Sequence, residues 1–243
     1  MQLSRIKVRQ FLQMLAIEDF RTLFNFALQR LTTPLFNVHY IFETDLTRAH
    51  ELNDPGRSLP QGFTTRIFRG ENEIGPVAGK LRRAGMASAV LMDRLKRGDL
   101  AETGDLVVVV FDEEDEVGAH AWTTFTDVWM KEIGAALLLG RDETSGYDTF
   151  VLPRWRGKGL QYSLNARRFQ HLSEHGHRRG LNWVNALNIR SLKSQGSLRK
   201  RKVATVFSVP MLGMFVVRKW FPDVVIRVQK RPRWRSEVPQ SSS

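Results

Sequence analysis

The chain has 243 residues, 42% of them hydrophobic and 26% charged, which is enough to bury a core and too little for several domains. It has no cysteine, which excludes disulfides, thiolate metal sites, zinc-finger spacings and a cysteine nucleophile. The net charge of +12 is uneven: residues 1–150 carry 17 basic and 22 acidic side chains, residues 151–243 carry 20 and 3, so the second part should meet something anionic.

The N-terminal stretch is basic, with Arg5, Lys7 and Arg9, but Gln10, Gln13, Glu18 and Asp19 interrupt the apolar run a secretory signal needs. Phe20, Leu23, Phe24, Ala27, Leu28 and Leu31 recur at spacings of three and four and predict an amphipathic helix stopped by Pro34. Its apolar face suits packing on the main domain or on a second copy of the chain, as a homodimer; its Arg and Lys content also suits an anionic membrane surface. Residues 1–52 are thus expected as an N-terminal helical segment, and the turn formers of 53–62 as a linker after it.

A strand is predicted at Phe63–Phe68, then a helix from about Val77 to Leu95. Asp105–Phe111 and Val117–Phe125 read as a hairpin around the acidic turn 112–116. Tyr147–Leu152 is a short strand pattern, Pro153–Lys158 a loop, and a helix runs from Gly159 to about Glu174. Leu181–Val184 gives another strand, Ser191–Gln195 a short helix, and Val203–Val209 and Met211–Val217 two more strands before a basic tail, 227–243. No segment reaches the ~18–20 apolar residues of a spanning helix, and the chain reads as soluble and cytoplasmic.

The strand–loop–helix unit contains Arg154-Trp155-Arg156-Gly157-Lys158-Gly159-Leu160. Two glycines let a ligand approach the backbone, a helix start offers unpaired N–H groups, and three cations add charge, so the loop suits a pyrophosphate. A P-loop needs Gly-x4-Gly-Lys-Ser/Thr, and a dinucleotide fold needs a third glycine where Tyr162 stands; neither fits.

Arg154-x-x-Gly157-x-Gly159 resembles the Gln/Arg-x-x-Gly-x-Gly/Ala signature of the GNAT superfamily of acyl-CoA-dependent N-acetyltransferases. Phe150–Pro153 before it resembles the family's fourth strand, and Val184–Leu192, with Asn188 and Ser191, its fifth strand and the start of its next helix. The resemblance spans about 62–220, with motif-grade matches in 146–195. It implies an α/β (α+β) fold with a central, mostly antiparallel sheet of six or seven strands, splayed between its fourth and fifth, and helices on both faces, over 53–226.

The resemblance also implies acetyl-CoA as acyl donor, no metal, and direct attack of a neutral amine of unknown class on the thioester. The thioester and pantetheine would run along Phe150 and Val151; the pyrophosphate would sit on the amides of Arg156, Gly157, Lys158, Gly159 and Leu160; Asn188 would contact the pantetheine arm or the amine, beside Ser191. Strand amides would stabilise the developing oxyanion. Gln195 stands where family members often place a tyrosine acid, and the family's next landmark, Gly-Phe, falls at Arg199-Lys200. Tyr162 or solvent is then the candidate acid, and Asp148, His120, Glu132 and Asp142 are candidate bases.

His171, His175 and His177 lack a carboxylate set for metal binding and read as a cationic helix end. The runs 199–202 and 230–235, the second with Trp234 between arginines, support a different reading: a scaffold without catalysis that binds nucleic acid or a membrane surface through its basic half.

Overall fold

The computed structural model describes residues 35–52, 59–84, 86, 104–130, 132–221 and 225–230. The expected N-terminal helix, the far end of the helix expected to reach Leu95, and most of the run 230–235 lie outside the described residues.

The first described strand, β1 (Asn37–Asp45), corrects the expectation that 1–52 is a helical segment apart from the sheet. It lies inside the main sheet, and a 3-10 segment, Leu46–Leu52, follows it. The helical apolar period upstream hides the alternation of Val38, Tyr40 and Phe42 against His39, Ile41 and Glu43. Next come β2 (Thr64–Arg69) and helix α1 (Glu71–Arg83). The helix begins six residues before the expected Val77 and runs through Pro76, which gives up one hydrogen bond in the early turns.

The expected hairpin is present as β3 (Leu106–Phe111) and β4 (Val117–Thr124). β5 (Val128–Met130) and β6 (Ala135–Leu138) follow, short strands that the sequence reading leaves unassigned. Then come β7 (Glu143–Val151), a 3-10 turn at Pro153–Trp155, and helix α2 (Leu160–Glu174). The chain continues through β8 (Arg179–Asn185), helix α3 (Ile189–Ser197), β9 (Arg201–Val209), β10 (Met214–Lys219) and β11 (Arg227–Gln229). The start of the expected basic tail is therefore a strand, paired with β6.

The main sheet has eight strands, one more than the upper expectation, in the order β10-β9-β1-β8-β7-β4-β3-β2. Among the described residues its one parallel pair is β7 with β8. β3 is buried along its whole length because both its faces are covered, which its unbroken apolar run reflects. On one face Val107, Val109 and Phe111 meet Ile74, Val77 and Leu81 of α1; on the other Val108 and Val110 meet Leu160 and Leu164 of α2. The small sheet β11-β6-β5 covers Ile41, Leu181, Val203 and Val206 at the other end of the main sheet. No helix among the described residues is long and apolar enough to cross a membrane.

Candidate functional site

The site begins with a mismatch in the β4–β7 ladder. Ala119 pairs with Val151 and His120 with Phe150, but Trp122 pairs with Tyr147, so Asp148 and Thr149 stand opposite the single residue Ala121. This is a β-bulge, and Asp148 takes φ 45°, a left-handed conformation that Asp tolerates better than most residues. β7 and β8 pair only through Glu143–Ser145 and Arg179–Leu181. Beyond that register they part, as the resemblance implies, leaving a cleft between Tyr147–Val151 and the end of β8.

The paired end of the cleft is clamped by charge. Arg179 of β8 donates from Nε to Glu43 of β1 at 2.7 Å and from Nη1 to Glu143 of β7 at 2.6 Å. Arg201 and Arg227 complete the acceptors, at 2.8 Å on Glu43 and 3.0 Å on Glu143. One half-buried guanidinium thus joins three strands at the end where they meet.

The open end carries the glycine loop. Gly157 (φ 79°) and Gly159 (φ 78°) both use conformations that favour glycine, and a β-carbon on either would meet nothing within 4 Å. Gly159 caps α2 and its carbonyl accepts from the Tyr162 and Ser163 amides at 2.9 and 3.2 Å, which leaves the Leu160 and Gln161 amides at the helix start with no partner within the helix. Trp155 fixes the loop from behind, edge-on to Phe63 with ring centroids 5.0 Å apart and flanked by Lys158 and Arg154 at 4.6 and 5.3 Å from its ring. Arg156 donates to the Val151 carbonyl at 3.3 Å and lies 5.8 Å from the Phe150 ring. The five loop residues expected to hold a pyrophosphate thus follow Phe150 and Val151 closely in the chain, and Arg156 touches both.

The other expected residues are less uniformly placed. Asn188 caps α3, its side-chain oxygen accepting from the Ser191 amide at 3.1 Å. Gln195 is buried: its amide donates to the Ser191 carbonyl at 2.9 Å and its oxygen accepts from Asn182 at 3.2 Å. It ties α3 to β8, and an amide has no acidic proton to give a leaving thiolate. Tyr162 packs against the cluster of Leu46, Ala49 and Phe169 on α2's flank. Glu132 and Asp142 engage neighbours through backbone carbonyls, to Asn37 Nδ2 at 3.0 Å and the Arg178 amide at 3.0 Å.

Asp148 is half-buried in the bulge. His120 is fully buried against Phe150, and its Nε2 lies 3.2 Å from the Met86 carbonyl, which fixes the proton on that nitrogen. Burial pushes its pKa down to about 4 in spite of the opposing backbone contacts at Met86 and Asp148, so the ring is neutral. The sequence reading misses His39, a second neutral histidine, whose pKa burial lowers to about 4; its Nε2 is 3.5 Å from Asn185 Nδ2 on the paired strand.

It also misses Arg168. Leu160, Leu164, Arg168 and Leu172 share one α2 stripe at spacings of four, and all four are buried. A cation on an apolar stripe is a legible signal. Its Nη1 donates to the Trp122 carbonyl at 3.1 Å, beside the bulge, and its Nη2 to Asn165 at 2.5 Å. Among the described residues no three metal-ligating side chains form a group; His171 and His175 contact each other, with ring centroids 4.0 Å apart.

No protein-family model and no curated protein matches the chain. Several solved structures are similar to it, most of them GNAT-family N-acetyltransferases. A tandem GNAT protein from the clavulanic acid biosynthesis pathway matches at TM-score 0.49 and 13% identity over 82% of this chain and 59% of its own. A GCN5-related N-acetyltransferase from Sphaerobacter thermophilus matches at 0.46 and 12%, over 82% and 58%. A GNAT-family acetyltransferase from Novosphingobium aromaticivorans matches at 0.43 and 12%, over 71% and 62%. The chain therefore spans about three fifths of the length of these three.

Proposed function

We propose that the chain is an acyl-CoA-dependent N-acyltransferase of the GNAT type, taking an acyl group, acetyl in the simplest case, from CoA to an amine. The observation that carries this reading is the combination of the bulge at Asp148, the parting of β7 from β8, and the open glycine loop at the mouth of the same cleft.

The residues present fit the donor. The space above Gly157 and Gly159 admits a phosphate close to the backbone, and the first amides of α2 with Arg156 and Lys158 supply donors and charge for it. When bound, acetyl-CoA supplies an activated thioester carbonyl. The chain's part is to hold that carbonyl in the cleft, where β7 amides freed by the bulge and the splay donate to its oxygen as charge develops. The backbone of Phe150 and Val151 forms the wall along which the donor lies, and their side chains anchor it on opposite faces of the sheet, toward α1 and α2.

The incoming amine must be neutral to attack. Asp148, half-buried in the bulge, is the base that takes its proton; His120, buried and neutral, holds the strand behind it. Solvent protonates the leaving thiolate, since Gln195 is committed to the α3–β8 contact. The test is release of free thiol from acetyl-CoA in the presence of an amine panel. Asp148→Asn should lower kcat about tenfold or more and leave acetyl-CoA affinity unchanged. Unchanged turnover would remove Asp148 from the mechanism, and no turnover with any amine would count against the activity itself.

A further inference from the structure

A small pocket lies at the neck of the cleft, where β7 and β8 last pair, on the α2 face of the sheet. Thr123, Thr144, Gly146, Arg168, Asn182 and Lys200 are among its lining residues. Two of them are cations. Arg168 is wholly inside, and Lys200 keeps a half-buried stem while its ammonium lies within, donating to Asn182 Oδ1 at 2.9 Å. Among the described residues neither is paired with a carboxylate. Burial lowers both below their ordinary values, Arg168 to about 10 and Lys200 well down, and the charge of Arg168 pushes Lys200 further.

Arg168 alone has a structural explanation, because it holds the Trp122 carbonyl beside the bulge. That does not account for a second cation at its side. Nor does it account for two buried polar atoms of lining residues that have no protein partner, Nε of Arg168 and Oγ1 of Thr123. Two like charges buried together raise each other's cost, whereas an anion between them turns that cost into charge-assisted hydrogen bonds.

We propose that this pocket is an anion subsite that takes a carboxylate of the substrate. The inference rests on the acyltransferase reading, since the pocket lies at the closed end of the cleft whose mouth holds the glycine loop. Arg168 stands eight residues along α2 from Leu160, about 12 Å at the rise of a helix. A donor seated on the loop and lying along β7 therefore points toward the pocket. The carboxylate belongs either to the far end of a dicarboxylic acyl group or to the acceptor. The pocket's small size excludes a nucleotide.

The experiment has two stages on the full chain. Sodium formate is first compared with sodium chloride at equal ionic strength by thermal unfolding of wild type, Lys200→Met and Thr123→Val. Formate should raise the Tm of wild type above the chloride control, and each variant should lose most of that rise while remaining folded without anion. No excess over chloride in wild type overturns the subsite. Malonyl-CoA is next titrated against propionyl-CoA, and glycine against glycinamide is compared as acceptor. Preference of about tenfold for the acid in one arm, lost in Lys200→Met, identifies the source. Equal behaviour in both arms overturns a substrate carboxylate even if formate protects. Failure of every CoA thioester to bind, with formate protection intact, counts against the acyltransferase reading and leaves the subsite standing.

Discussion

A β-carbon placed on Gly146 would stand 3.0 Å from Nη1 of Arg168. The glycine in β7 and the arginine in α2 are therefore one device: the missing side chain lets the guanidinium lie against the strand and reach the Trp122 carbonyl. The guanidinium is held at both ends and cannot give freely. Gly146→Ala is expected to destabilise the protein by about 1–2 kcal/mol through overpacking. Gly196→Ala, on an exposed turn of α3 with nothing within 4 Å, should instead stabilise by about 0.5–1 kcal/mol. Chemical denaturation of the two variants checks the opposite signs.

Arg179 is the second joint. It bridges Glu43 and Glu143 at the end where β1, β8 and β7 meet, and its removal leaves two poorly exposed carboxylates with one cation each. Arg179→Met should cost about 1–3 kcal/mol of stability, between the values for an exposed and a buried pair. A loss within about 0.5 kcal/mol, read from the denaturation midpoint, would mean Arg201 and Arg227 suffice.

The two buried histidines make stability depend on pH. Each has a folded pKa of about 4 against about 6.5 unfolded, so the unfolded chain takes up protons first as pH falls. Their contribution is full above pH about 6.5 and is lost as pH falls toward 4, at most about 3 kcal/mol for each ring. His120→Phe and His39→Phe should each flatten the fall in Tm between those values. An unchanged pH profile would contradict the burial assignment.

Gln195 occupies the position where the resemblance leads one to expect a tyrosine acid. Its side chain is spent on Asn182 and on the Ser191 carbonyl. Gln195→Tyr should therefore gain no activity and should lose about 1–3 kcal/mol, because a larger ring enters a packed contact. A rise in kcat would show that the position faces the reacting atoms after all.

Much of this was readable in the sequence where the signal is local. The β3–β4 hairpin declares itself by two β-rich runs around an acidic turn, and the glycine loop by its position between a strand and a helix. β1 is harder: it follows residues with a helical period, and what makes it a strand is the long-range pairing of His39 with Asn185 and Val206. The bulge at Asp148 leaves no mark in residue type, since it arises from counting against β4. Arg168 could have been found, as a cation on an apolar stripe. Lys200 could not, because it stands in a basic run that looks solvated until the fold turns one ammonium inward.

The proposed function stands or falls on acyl-CoA binding by the loop after β7. The direct measurement is calorimetric titration of acetyl-CoA into wild type and Gly157→Glu. The new side chain would stand in the space above the loop with a carboxylate facing the phosphates, in a backbone conformation that costs about 1–2 kcal/mol and should leave the fold intact by circular dichroism. Saturable binding to wild type is expected, weakened at least about a hundredfold in the variant. Equal binding to both proteins, or none to wild type, would contradict it.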